Sequence, residues 1–155
     1  MKKVTGRRQA REWVVQFLFQ TEFNPEELDQ ALDDFWNDEE KTPLDRDRKY
    51  VNEMIRGVIE QQVKVDRTIK RYTDNWDVDR LGVLDRTVLR VAVYEMLFRD
   101  DVPPVVSINE AIEIAKAYSG QKSARFVNGV LDRIQKELNR PARDIKPGND
   151  QQMVD

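Results

Sequence analysis

Apolar residues recur along this chain at the spacing of helices. Over residues 7–22, Ala10, Trp13, Val14, Phe17 and Leu18 fall at i, i+3, i+4, i+7 and i+8, the stripe of an amphipathic helix, while Arg8, Arg11, Glu12 and Gln16 occupy the other side. Asn24 and Pro25 predict the start of a second helix, with Asn as N-cap, Pro at the first helical position and Glu26 and Glu27 favourable to its macrodipole. Leu28, Leu32, Phe35 and Trp36 form its seam, and Thr42-Pro43 breaks the pattern. One long helical stretch is predicted over residues 45–72, from Val51, Ile55, Val58, Ile59, Val63 and Ile69, with Asp66 the one polar residue on that spacing.

Residues 73–82 predict a loop with a short turn at 77–81. In residues 84–98, apolar side chains cover most of the circumference, as in a central buried helix. Asp100, Asp101, Pro103 and Pro104 end it, and Ser107-Ile108-Asn109-Glu110 matches a capping box opening the next helix, with Ile108, Ala111, Ile112 and Ala115 as its buried stripe. Ser119-Gly120 is the expected stop. The last helix starts near Lys122 and carries Val127, Val130, Leu131, Ile134 and Leu138 on one face. Gly129, costly in a helix interior, is expected at a close helix crossing. No segment alternates with period two, so the fold class is all-α, a bundle of about six to seven helices. Residues 1–139 form a single domain, and 140–155, poor in apolar residues, are expected to be a disordered tail.

Composition narrows the chemistry. The 155 residues include no Cys and no His, which excludes disulfides, Cys/His zinc sites and any imidazole-dependent triad. Phosphate-cradling glycine motifs are absent, the adjacent acids Asp33/Asp34, Glu39/Glu40 and Asp100/Asp101 read as surface charge, and no oxygen-rich metal loop occurs. No enzyme activity, cofactor or metal is expected, and without an apolar run of membrane-spanning length or a signal peptide the expected location is cytoplasmic.

Charge is unevenly placed. Residues 1–21 carry Lys2, Lys3, Arg7, Arg8 and Arg11 against Glu12 alone, whereas residues 22–47 carry eleven acids against Lys41 and Arg46. A second basic cluster follows at Lys122, Arg125, Arg133, Lys136, Arg140 and Arg143, which face only Asp132 and Glu137. Arg7, Arg8 and Arg11 stand where the macrodipole disfavours cations, which points to phosphate binding over helix stabilisation, with a solubilising arm as the alternative. Phe126, flanked by Lys122, Ser123 and Arg125 at a helix start, is placed to stack on an unpaired base while N–H groups and Arg hold phosphate; closing the edge of the core is its alternative role. The net charge of -3 argues against indiscriminate coating of nucleic acid.

Several motifs together resemble the NusB family of bacterial transcription antitermination factors: Arg7-Arg8-x-Ala10-Arg11-Glu12, Leu84-Asp85-Arg86, Leu89-Arg90-Val91-Ala92-Val93-Tyr94-Glu95, Asp101-Val102-Pro103, Ile108-Asn109-Glu110-Ala111-Ile112-Glu113 and Phe126-Val127-Asn128-Gly129-Val130-Leu131-Asp132. The resemblance runs over residues 7–138. It implies a helical fold of two small subbundles, no catalysis, and binding of the boxA element of nascent ribosomal RNA leaders together with the ribosomal protein NusE, in a complex with other Nus factors on RNA polymerase. It implies RNA-facing roles for Arg7, Arg8, Arg11, Lys122, Ser123, Arg125 and Phe126, with Tyr72 or Thr73 as a further match near the RNA. Phe19, Asp79 and Asp85 fall where the family meets its protein partner. Asn109 and Glu110 read as structural, a cap and buried hydrogen-bonding groups. The alternatives are an accessory domain of a ribosomal RNA cytosine methyltransferase, which would need a Rossmann-type domain after Asp155, and a protein-binding scaffold or homodimer using the acidic second helix.

Overall fold

The helical spacing is realised as seven α-helices and no strand among the described residues, which in this computed structural model are 6–23, 27–38, 40–73 and 81–138. The helices are α1 (Arg7–Phe23), α2 (Leu28–Trp36), α3 (Asp45–Glu60), α4 (Gln62–Arg71), α5 (Val83–Phe98), α6 (Pro104–Ser119) and α7 (Gln121–Glu137). The turn expected at 77–81 falls almost wholly outside the described residues, and the tail from 140 onward entirely so. No described helix is long and apolar enough to cross a membrane. The chain divides into two units, Met1–Glu60 and Gln61–Asp155.

In the first unit α1 packs on α3, burying Val14 and Phe17 from one and Tyr50, Val51, Met54, Ile55 and Val58 from the other. The short α2 is held by aromatic edges. Trp13 meets Trp36 at 5.6 Å and Phe17 meets Phe35 at 5.5 Å, both T-shaped, an arrangement worth roughly 0.5–1.5 kcal/mol per pair beyond burial. The Trp36 indole N–H donates to Asn52 Oδ1 at 2.8 Å, so the ring's polar edge stays satisfied. α2 begins at Leu28 with Glu27 as an N-cap that makes no side-chain bond; Asn24 and Pro25, where a helix start was expected, lie outside the described residues.

The stretch predicted as one helix over 45–72 is two. It breaks at Gln61 (φ -103°, ψ 16°), and Ile59 and Val63, expected in its stripe, are exposed. Periodicity missed the break because neither Pro nor Gly marks it: Val58 and Val65 keep helical phase across the polar run Glu60-Gln61-Gln62. The apolar faces nevertheless pack on different neighbours, α3 on α1 and α4 on α5.

In the second unit α5 is the buried centre, and its polar side chains are buried with its apolar ones. Arg90 makes a fork to Asp66, Nε to Oδ1 at 2.8 Å and Nη2 to Oδ2 at 2.9 Å, which accounts for an acid on the stripe of α4. Arg86 donates to the Leu81 carbonyl at 3.0 Å. Glu95, 1% exposed, accepts from Ser107 Oγ at 2.8 Å. The Ser107 bond overturns the capping box. α6 starts three residues earlier, with Pro104 at its first position, where a missing N–H costs nothing and φ is already helical. Ser107 lies inside the helix and bonds to the core, and Asn109 is exposed rather than capping or buried. Ile108, Ala111 and Ala115 are buried as expected, and Ile114 takes the place in the stripe given to Ile112, which is half-buried. Gly120, at φ 96°, ends α6 and opens α7, a conformation that favours glycine.

Candidate nucleic-acid interface

The first unit presents its arginines at the N-terminus of α1. Gly6 precedes the helix, its carbonyl accepting from the Ala10 N–H at 3.0 Å. Arg7 and Arg8 are exposed, and Arg11 is 4% exposed. The Arg7 guanidinium lies 4.0 Å from the centroid of the Tyr50 ring and that of Arg11 5.7 Å, both within the ~6 Å reach of a cation–π contact. Phe19 is 38% exposed. Eleven residues from Arg8, it returns to within about 20° of the same helix face.

In the second unit the start of α7 lies open. No side chain caps it and its own first turn holds no acid, although Asp85 of α5 reaches that turn through Ser123; its N–H groups and dipole favour an anion beside the exposed cations of the same turn. Lys122 and Arg125 are exposed there. Phe126, 36% exposed, borders a recess of ≈ 350 Å³ lined by Tyr72, Thr73, Arg125, Phe126, Gly129, Val130 and Arg133, at the small end of the roughly 300–1,000 Å³ of ligand pockets. The Tyr72 hydroxyl donates to Glu137 Oε1 at 2.6 Å. That bond, together with burial, raises the phenol above its ordinary value and keeps the ring neutral in the wall.

The recess explains Gly129. A Cβ built there meets nothing within 4 Å, so the residue marks no close helix crossing, contrary to the expectation from sequence. It leaves a gap one turn beyond Phe126. Ser123 and Asp85, read separately as RNA-facing and partner-facing, meet each other: the Ser123 hydroxyl, 8% exposed, donates to Asp85 Oδ1 and ties the first turn of α7 to α5. Asp79 lies outside the described residues. Arg133 and Gly129 were not among the expected site residues, although Arg125, Gly129 and Arg133 stand at i, i+4 and i+8, one face of a helix, and that spacing is visible in the chain. Tyr50 carries no comparable signal, because its ring reaches the arginines only through the packing of α3 on α1.

Comparison with known proteins gives one consistent result. The model of the NusB family matches residues 8–136. Transcription antitermination protein NusB of Methylacidiphilum infernorum is 44% identical over 139 residues, covering 88% of this chain and 95% of that protein. NusB of Listeria innocua is 44% identical over 131 residues, covering 84% and 97%. Among solved structures, T. maritima NusB is 44% identical with a TM-score of 0.77 over 88% of this chain and 94% of that one. A complex of antitermination factors NusB and NusE with dsRNA shares the fold at 23% identity, with a TM-score of 0.76 over 84% of this chain and 96% of that one.

Proposed function

Since this chain belongs to the NusB family, we propose that it is a non-catalytic RNA-binding adaptor of transcription antitermination, taking single-stranded boxA RNA jointly with NusE. The observation that carries the reading is the recess beside Phe126, lined by Arg125, Gly129 and Arg133. A base stacks on the Phe126 ring while Lys122, Arg125 and the open start of α7 hold phosphate. Ser123 serves this face by fixing the first turn of α7 to Asp85. The exposed Arg7 and Arg8 supply further phosphate contacts, the buried Arg11, expected to join them, packs beside Tyr50 and supports them from within the helix, and Phe19, Asp79 and Asp85 face NusE. The relatives' role, transcription antitermination, agrees with an adaptor working in the cytoplasm.

With a net charge of -3 the protein has few cations to contribute, so RNA binding is weak alone and tighter with NusE. Titration of boxA RNA and a scrambled RNA, each with and without NusE at fixed salt, tests the reading. Equal affinity for both RNAs and no gain from NusE would refute it.

A further inference from the structure

Arginines in the first two turns of a helix oppose its macrodipole, and the first turn of α1 holds no acid to offset them. The fold supplies what α1 lacks from α3. Asp47, 2% exposed, accepts the Gly6 N–H on Oδ2 at 3.2 Å, placing a carboxylate at the positive end of the helix. One turn along α3, the Tyr50 ring, also 2% exposed, lies under the Arg7 and Arg11 guanidinium groups. Arg46 stands 3.9 Å from Asp47, and its side chain is 75% exposed. Gly6 has φ +116°, a conformation that favours glycine, and its N–H points at Asp47 from that conformation.

We propose that Asp47 and Tyr50 are positioning residues for RNA binding: Asp47 anchors the start of α1, and Tyr50, with the buried Arg11 packed beside the same ring, holds the exposed Arg7 in the orientation that meets phosphate. This rests on the RNA-binding reading above. It gives a buried acid a favourable part in binding a polyanion, opposite to what its charge alone would do. Two α3 side chains thereby limit how far the arginines rearrange on binding, so less conformational freedom is lost when RNA arrives.

The test compares Asp47→Asn with Asp47→Ala, and Tyr50→Phe with Tyr50→Leu, in the full chain with NusE, measuring boxA affinity across a salt series and amide exchange at Gly6. Asn removes the charge but keeps an acceptor for the Gly6 N–H; Ala removes both. Positioning requires Asp47→Ala to bind more weakly than Asp47→Asn and to lose protection at Gly6. Charge alone would tighten both equally, and that result overturns the proposal. Tyr50→Phe keeps the ring and the affinity. Tyr50→Leu weakens binding about fivefold and flattens the salt dependence by about 0.7 for each phosphate that the arginines no longer neutralise. Should Tyr50→Leu not fold, the Asp47 pair and the Gly6 exchange decide. Wild-type protein that fails to bind RNA overturns the parent reading before any variant is compared, whereas wild-type binding with Asp47→Ala and Tyr50→Leu both unchanged overturns this inference alone.

Discussion

Replacing Gly129 by Ala separates stability from binding, because the structure gives the two effects opposite signs. Gly129 is exposed, lies inside α7 and has a φ outside the left-handed region. A Cβ added there touches nothing within 4 Å, so no packing term opposes the gain in helix propensity of roughly 0.8–1.0 kcal/mol. For a chain of this size that raises the melting temperature by about 2–4 °C. The same methyl group enters the recess that Gly129 lines with Phe126, Arg125 and Arg133, where a base is proposed to stack, so RNA affinity falls. Gly129→Leu, which fills more of the recess, lowers it further. Thermal unfolding followed by circular dichroism reads the first effect, and boxA titration in the presence of NusE the second. A fall in melting temperature on Gly129→Ala would refute the open-recess geometry. A rise accompanied by unchanged RNA binding for both variants would refute the use of the recess.

Phe126→Ala should lose about 1–3 kcal/mol of RNA affinity if a base stacks on its ring, with helical content unchanged since the ring is 36% exposed; the same titration and circular dichroism check both. Asp66→Ala removes the carboxylate fork from Arg90 and should cost about 1–3 kcal/mol in a urea melt, with Arg90→Met in the same chain recovering part of the loss. The Tyr72 phenol is raised above its ordinary value of 10.0 by its hydrogen bond to Glu137. The unfolded chain therefore ionises first: the contribution is fully present below about pH 10 and is lost as pH rises through the folded value. Stability measured from pH 8 to 11.5 should fall more steeply in wild type than in Tyr72→Phe, and parallel curves would show that the bond contributes nothing.

What could be read from the sequence follows from the range of each signal. Helix periodicity is local, and the apolar stripes of α1, α5 and α7 need only the chain itself, so they agree with the structure except at the end of α7, where Leu138 is the extended C-cap outside the helix; Arg11, set by the same spacing on the polar side of α1, is instead buried. The division of residues 45–72 into α3 and α4 depends on which neighbours the two apolar faces meet, and no residue between Val58 and Val65 records that. Ser107 shows the same limit from another side. Its local context satisfies a capping box, yet Pro104 starts the helix earlier and the hydroxyl is held by Glu95, 12 residues away in sequence.

Charge divides in the same way. Arg7, Arg8 and Arg11 could be recognised as unfavourable at a helix start, but the acid and ring that accommodate them sit about 40 residues further along the chain, in α3. The basic cluster of α7 was legible as cations around Phe126, whereas its recess needed Tyr72 and Thr73 from the end of α4. Net charge says least of all. Arg90 and Asp66 cancel in the sum yet fix α4 against the buried α5, while Arg125 and Arg133 count the same as any other cations and flank the recess. In a helical protein without Cys or His, binding specificity is therefore set by which charges the core consumes. An arginine with a buried partner positions a helix, and one left at a rim can reach a ligand.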